Sequence, residues 1–334
     1  MTDTSTRVRG EVRGNGYRPG SLELLGFILL VAIPFRSALQ SMFAAAGMRT
    51  WATVFVSVCV QAVPFLVLGV VVSGAIAAFV PASFFRRVLP ERAGLAVPMA
   101  GACGALLPGC ECGSIPIANR LMDRGVRPAA ALAFLLSAPA INPVVLVATA
   151  VAFISDHRMV WARLVAGLAT AVLVGLIWER IGRPEWLAPR LRSAAGEDAG
   201  GWPAFLATMR TDFTQAAGFL VLGAAVAASF KVLVSGRWME HIGSSILLSV
   251  LLMAALAFML ALCSEADAFV AASFSTIPMV GKLVFLTVGP AVDVKLVALQ
   301  AGTFGRRFAV RFAPLTMLVA VTVGLTTGAI FWGW

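Results

Sequence analysis

The 334 residues are 60% hydrophobic and only 13% charged, more apolar surface than a soluble domain can bury, so lipid is the solvent and a soluble catalytic domain is excluded. The net charge of +10 would suggest a nucleic-acid partner in a soluble chain. Here the arginines sit in loops between apolar segments, where membrane topology accounts for them, and no nucleic-acid binding is expected. Five cysteines do not make a disulfide scaffold.

Residues 1–21 lack the apolar core and cleavage site of a signal peptide and are expected to form a basic cytoplasmic tail. Apolar segments follow at about 22–42, 51–80, 93–119, 128–154, 159–180, 205–234, 243–277, 283–304 and 308–333, each near or above the ~20 residues that cross a bilayer. Residues 182–204, rich in Pro, Gly and charge, form the one long polar interruption and are expected as a cytoplasmic linker. The parts on either side, 51–181 and 205–334, resemble each other. QAVPFLVLG at Gln61–Gly69 and QAAGFLVLG at Gln215–Gly223 differ at two positions only. LPGCECG then matches ALCSEAD, and Pro139-Ala140-Ile141-Asn142 matches Pro290-Ala291-Val292-Asp293. The segment 22–46 stands outside this duplication as an extra N-terminal span.

If every segment crosses, Lys and Arg divide almost evenly between the two sides. If 93–119 and 243–277 are instead re-entrant hairpins, most of the 26 basic residues fall on the cytoplasmic side, as the positive-inside rule requires. The expected fold is an all-α polytopic membrane protein of two homologous repeats, each with three spans plus one broken or re-entrant segment. Three crossings are an odd number, so the repeats would be inverted, and substrate would sit where their broken helices meet.

The chemistry concentrates at those breaks. Pro108, Gly109, Gly113 and Pro116 are expected to interrupt the first, and free backbone at membrane depth implies a cavity. Into it project two thiols and a carboxylate, Cys110, Glu111 and Cys112. Single buried cysteines such as Cys59 and Cys103 are mostly packing residues, but two thiols flanking an acid inside a membrane segment mark a pathway, a proton site or a partner charge. The second break repeats the pattern with Cys263, Ser264, Glu265 and Asp267. Pro139 and Pro143 flank Asn142, and Pro290 precedes Asp293 and Lys295, which pair locally, serve different helices or couple transport. Gln61 and Gln215 are expected to make interhelical hydrogen bonds, with substrate contact open to them. The sequence has no Gly-rich phosphate loop with Lys and Ser/Thr, and His157 and His241 form no zinc-type set, so neither ATP hydrolysis nor a cofactor is expected.

Through Cys110 to Pro116, Pro139 to Pro143 and Cys263 to Phe269, the chain resembles the bacterial permeases of the DUF318 group, which includes the ArsP organoarsenical efflux permeases. The likeness runs from about residue 50 to 333. It implies an inner-membrane exporter of trivalent organoarsenicals, and the thiols suit a thiophilic solute. Protonation through Glu111 or Glu265 would release it. The same residues leave open a divalent or soft metal exporter and a membrane thiol-redox relay.

Overall fold

The computed structural model describes residues 46–81, 84, 90, 92–106, 110–187, 201–233, 246–274 and 277–333. The N-terminal tail, the extra span apart from Ala46, most of the linker, Pro108 and Gly109 lie outside the described residues. The chain divides into two units, Met1–Arg49, described only at Ala46–Arg49, and Thr50–Trp334, which holds every described site residue.

The described residues are all-α, as a chain this apolar must be: without water to satisfy peptide groups, only a backbone that closes its own hydrogen bonds is stable in lipid. Among the described residues six helices are long and apolar enough to cross a membrane, Gly47–Phe79, Pro128–Ala152, Arg158–Ile181, Phe205–Ser229, Met279–Phe304 and Arg306–Trp332. The protein is therefore a multi-pass membrane protein. Two further apolar helices, Ala93–Leu106 and Leu247–Leu260, are too short at about 1.5 Å per residue to cross a ~30 Å core alone.

In chain order the helices are α1 (Ala46–Phe79), α2 (Ala93–Cys103, continued by a 3-10 turn at Gly104–Leu106), α3 (Glu111–Asp123), α4 (Pro128–Ile141), α5 (Pro143–Ala152) and α6 (Arg158–Ile181). After the linker come α7 (Trp202–Leu233), α8 (Ile246–Leu260), α9 (Ser264–Ser273), α10 (Met279–Ala291), α11 (Val294–Phe304) and α12 (Arg306–Trp332). Two of the six spans are thus discontinuous, α4 with α5 and α10 with α11. They are also the innermost, with 78% and 83% of their apolar stretch buried against 22–50% for the other four.

Each discontinuity is held by a side-chain cap. Asn142 Oδ1 accepts from the Val145 N–H at 2.9 Å while its Nδ2 donates to the Ala138 carbonyl at 3.0 Å. Asp293 Oδ1 accepts from the Leu296 N–H at 2.5 Å. An Asn or Asp at the N-cap satisfies an N–H that has no intrahelical partner, and Pro143, at the first position of α5, has no N–H to satisfy.

The expected helix breakers are only partly the real ones. Gly113 and Pro116 lie inside α3, Pro139 inside α4 and Pro290 inside α10. Among the described residues the helices are interrupted instead at Cys110, at Asn142, at Ala261–Cys263 and at Val292–Asp293. A proline within a helix frees one carbonyl four residues back, and a neighbour can supply the missing donor. The Leu135 carbonyl freed by Pro139 lies 3.3 Å from the Ser114 hydroxyl. The true second break carries strain: Ala261 holds φ at +46°, a left-handed conformation that costs a non-glycine residue roughly 1–2 kcal/mol.

Contacts give the direction of each piece. Val97 of α2 lies level with Ala129 and Ala133 of α4, and Gly104 meets Ser137, so α2 runs alongside α4 in the same sense. Ser114 of α3 meets Leu135, and only residues 124–127 separate α3 from α4, so α3 runs back the other way. α2 and α3 therefore run antiparallel, as a first hairpin. The second half does likewise. Ser249 and Met253 of α8 sit against Gly281 at the start of α10, Asp267 of α9 reaches Gly289 near its end, and Phe274 then returns to Phe285.

The long helices α6 and α12 run antiparallel, with Trp178 edge-on to Phe308 and Phe312 at one end and Trp332 Nε1 donating to Asp156 at 2.7 Å at the other. Gly167 and Gly175 pack α6 antiparallel to α4, and Gly324 and Gly328 pack α12 antiparallel to α10. Hence α4 and α10, like α6 and α12, run in opposite senses.

The outgoing end of the first hairpin is tied to the second half. Arg120 Nη2 donates to both oxygens of Asp212, at 3.1 and 3.2 Å, and the Ser73 hydroxyl donates to Oδ2 at 2.7 Å. Asp212→Asn should destabilise the protein by about 1–3 kcal/mol, the usual scale for losing a charge-assisted hydrogen bond. Exchanging the charges, Arg120→Asp with Asp212→Arg, should recover part of that loss in a thermal unfolding measurement; no recovery would mean that the charges themselves contribute little.

Candidate functional site at the hairpin tips

A cysteine opens the return helix of each hairpin. Cys110 is the N-cap of α3 and Cys263 the N-cap of α9, and neither thiol is used to cap its helix. The backbone does that work in the same way at both: the Cys110 carbonyl accepts from the N–H groups of Gly113 and Ser114, and the Cys263 carbonyl from those of Ala266 and Asp267. Both thiols stand at a helix N-terminus, an end that favours negative charge.

The tips touch. The Ser264 hydroxyl donates to Glu111 Oε1 at 2.7 Å, and the thiols of Cys112 and Cys263 both neighbour that of Cys110. One sulfur each from Cys110 and Cys112 and one Glu111 oxygen lie within 4.8 Å of one another, a donor set suited to a soft ion. The Cys263 thiol donates to Glu265 Oε2 at 2.7 Å. Behind the tips, the Lys295 ammonium stands between Glu111 Oε2 at 3.5 Å and Asp293 Oδ2 at 3.6 Å, all three buried. Lys295 thus faces both its near neighbour Asp293 and the tip of the first hairpin.

A cavity of about 140 Å³ opens beside this cluster, lined by the N-terminal half of α1, by Leu260–Cys263, and by Cys110 and Lys295. Gln61 is part of its wall on α1, whereas Gln215 donates to the Gly302 carbonyl at 3.0 Å and ties α7 to α11. The matched glutamines therefore do different work. Glu111 and Cys112 lie behind the lining, and Asn142 is turned to its own backbone as a cap. Asp267 is buried on α9 against Gly289, with Oδ2 lacking a hydrogen-bond partner.

Sequence reasoning passed over Arg163. It stands on α6, almost wholly buried, and its Nη2 donates to the Ser264 carbonyl at 2.9 Å while Nη1 donates to Thr149 Oγ1 at 2.8 Å. An arginine in the N-terminal part of an apolar span was the available signal, because such a charge is costly in lipid unless it has work to do.

A family model for predicted permeases, ArsP_1, matches residues 48–329. The chain belongs to this family of predicted permeases. The UPF0718 protein YcgR of Bacillus subtilis is 35% identical over 277 residues, covering 81% of this chain and 94% of that one. A protein of Streptococcus mutans named as a putative two-component membrane permease complex subunit is 32% identical over 285 residues, covering 82% and 94%. No solved structure matches. The family match spans both hairpins and every described site residue, so the thiol and carboxylate cluster lies within the region the family shares.

Proposed function

We propose that the permease carries a small thiophilic solute across a bacterial-type plasma membrane, through the point where its two hairpin tips meet. The reading takes 51–181 and 205–334 as inverted halves, each of three spans and a re-entrant hairpin, preceded by a cytoplasmic tail and one extra span and joined by a cytoplasmic linker. Opposite senses of α4 and α10, and of α6 and α12, support it, and inverted halves bind substrate at such helix breaks. On this reading the chain is a transporter and catalyses no reaction.

The observation that carries the proposal is that Cys110 and Cys263, one from each half, line a single cavity. Two or three thiolates hold a trivalent arsenical or a soft metal ion, and trivalent organoarsenicals, which the family likeness implies, are the cargo placed first. Movement of one half against the other would separate the two thiols and weaken the grip. A thiol must lose its proton to ligate, and the Cys263 thiol donates to a Glu265 oxygen that could receive it, so exchange of protons for cargo fits the site. The compact Cys110, Glu111, Cys112 set favours a soft metal ion as the second reading.

Cells expressing the protein should accumulate less methylarsenite than control cells, and Cys110→Ser with Cys263→Ser should remove the difference. Reduced zinc or copper in place of methylarsenite would move the assignment to a metal exporter. If none of the three solutes responds to the protein or to its cysteines, thiophilic transport is the wrong reading.

A further inference from the structure

Among the described residues Arg163 is the only charged one in the set of largest fully buried side chains, and the grip of thiols on a solute does not itself require it. Among the described residues no carboxylate lies within ion-pair distance of its guanidinium. Its two terminal nitrogens go to a hydroxyl and a backbone carbonyl, and Nε has no hydrogen-bond partner. As a contribution to stability this is poor, since a buried guanidinium loses its hydration and neutral acceptors repay little of it. The carbonyl it holds also belongs to the first turn of α9, the end of a helix dipole that repels cations. Glu265 and Asp267, in that same turn, offset the repulsion.

The contact makes sense as placement. The Ser264 carbonyl is one peptide from Cys263, and the Ser264 hydroxyl is the group that reaches Glu111 on the other tip. Thr149 is itself fixed, since its hydroxyl donates to the Val145 carbonyl at 2.7 Å while accepting from Arg163. A rigid fork therefore runs from α5 and α6 of the first half to the tip of the second. Lys295 is its counterpart, reaching from α11 of the second half to Glu111 on the tip of the first. Each hairpin tip is held by a buried cation of the opposite half.

We propose that Arg163 is the positioning residue of the second hairpin tip: it fixes the Ser264 carbonyl so that the Cys263 thiol faces that of Cys110 across the cavity. The assignment rests on the thiophilic reading for its purpose, but its geometry can be tested without transport. Lysine in place of arginine keeps the charge and loses the two-pronged donor, so it separates position from charge.

The test uses the purified full-length chain carrying Cys59→Ala, Cys103→Ala and Cys112→Ala, and dibromobimane, which fluoresces on bridging two thiols. Arg163→Lys and Arg163→Met should each slow bridging of Cys110 to Cys263 by roughly tenfold or more, the sensitivity expected when reacting groups are misplaced by about an ångström. Single-site labelling of Cys110 should not change. Thr149→Val, which removes one anchor of the fork and keeps the arginine, should give a smaller slowing and keeps the test open if Arg163→Met does not fold. Bridging at the parental rate in Arg163→Lys and Thr149→Val overturns the proposal, because a residue that only fills space or supplies charge predicts that result. Slowed bridging in a chain that transports no thiophilic solute would leave the positioning role standing and remove the substrate reading alone.

Discussion

Replacing Lys295 by methionine should cost the folded protein about 3–5 kcal/mol, the scale for stripping one partner from a buried ion pair. The ammonium is shared by Glu111 and Asp293, and the oxygens facing it, Glu111 Oε2 and Asp293 Oδ2, have no hydrogen-bond partner of their own. Without Lys295 two buried carboxylates would face each other with nothing between them. The residue is also fixed from behind, since a Cβ at Gly223 would come within 2.8 Å of the Lys295 Cα, so α11 has little freedom to turn another group into its place. The triple change Lys295→Met, Glu111→Gln, Asp293→Asn should restore most of the stability, because it replaces the ionic cluster by neutral groups of similar shape and asparagine can still cap α11. Unfolding temperature in detergent checks both steps. A Lys295→Met protein as stable as its parent would show that the cluster is paired some other way. The triple variant should remain inactive in the solute accumulation assay if Lys295 and Glu111 set the tip geometry as well as the stability.

Hydropathy made the membrane class legible, and the clustering of Cys with acids marked both points where these helices are interrupted, one with Pro and Gly beside it and one without, since each reports a local cost that a lipid-embedded chain cannot hide. What the sequence did not disclose was which proline bends the chain. Pro116 and Pro139 look like breakers but lie inside helices; at Pro139 a freed carbonyl matters only if no neighbour reaches it, and Ser114 lies near that of Leu135. The division of labour among the polar residues was equally hidden. Gln61 and Gln215 occupy matched positions in matched segments, yet one walls a cavity and the other bonds a backbone carbonyl, a difference set by which helix packs against each. Arg163 was present as a lone charge in a span, but its partner Ser264 is 101 residues away, and no local pattern joins the two.

Gly69→Val should displace α1 from α3 and open the wall of the cavity. A Cβ at Gly69 would fall on the backbone of Gly113, on its carbonyl group and Cα, and a Cβ at Gly113 would lie 2.6 Å from the Phe65 carbonyl oxygen. Both obstacles are main chain, which cannot rotate aside as a side chain would, so the helices themselves must part. Overpacking of this kind costs about 1–3 kcal/mol and sometimes more. The functional effect should be larger than the stability effect suggests. Residues Thr53, Ser57 and Gln61, which line the cavity, belong to the same helix, and Cys110 stands directly before the helix that would be pushed away. Labelling of Cys110 by a water-soluble maleimide should therefore accelerate in Gly69→Val while solute export is lost. Gly218 is the control, since nothing lies within 4 Å of a Cβ built there. Gly218→Ala removes a poor helix former from α7 and should raise stability by up to about 1 kcal/mol, with Cys110 labelling unchanged. If Gly69→Val and Gly218→Ala unfold at the same temperature and label at the same rate, the close approach of α1 to α3 does not hold the first hairpin in place.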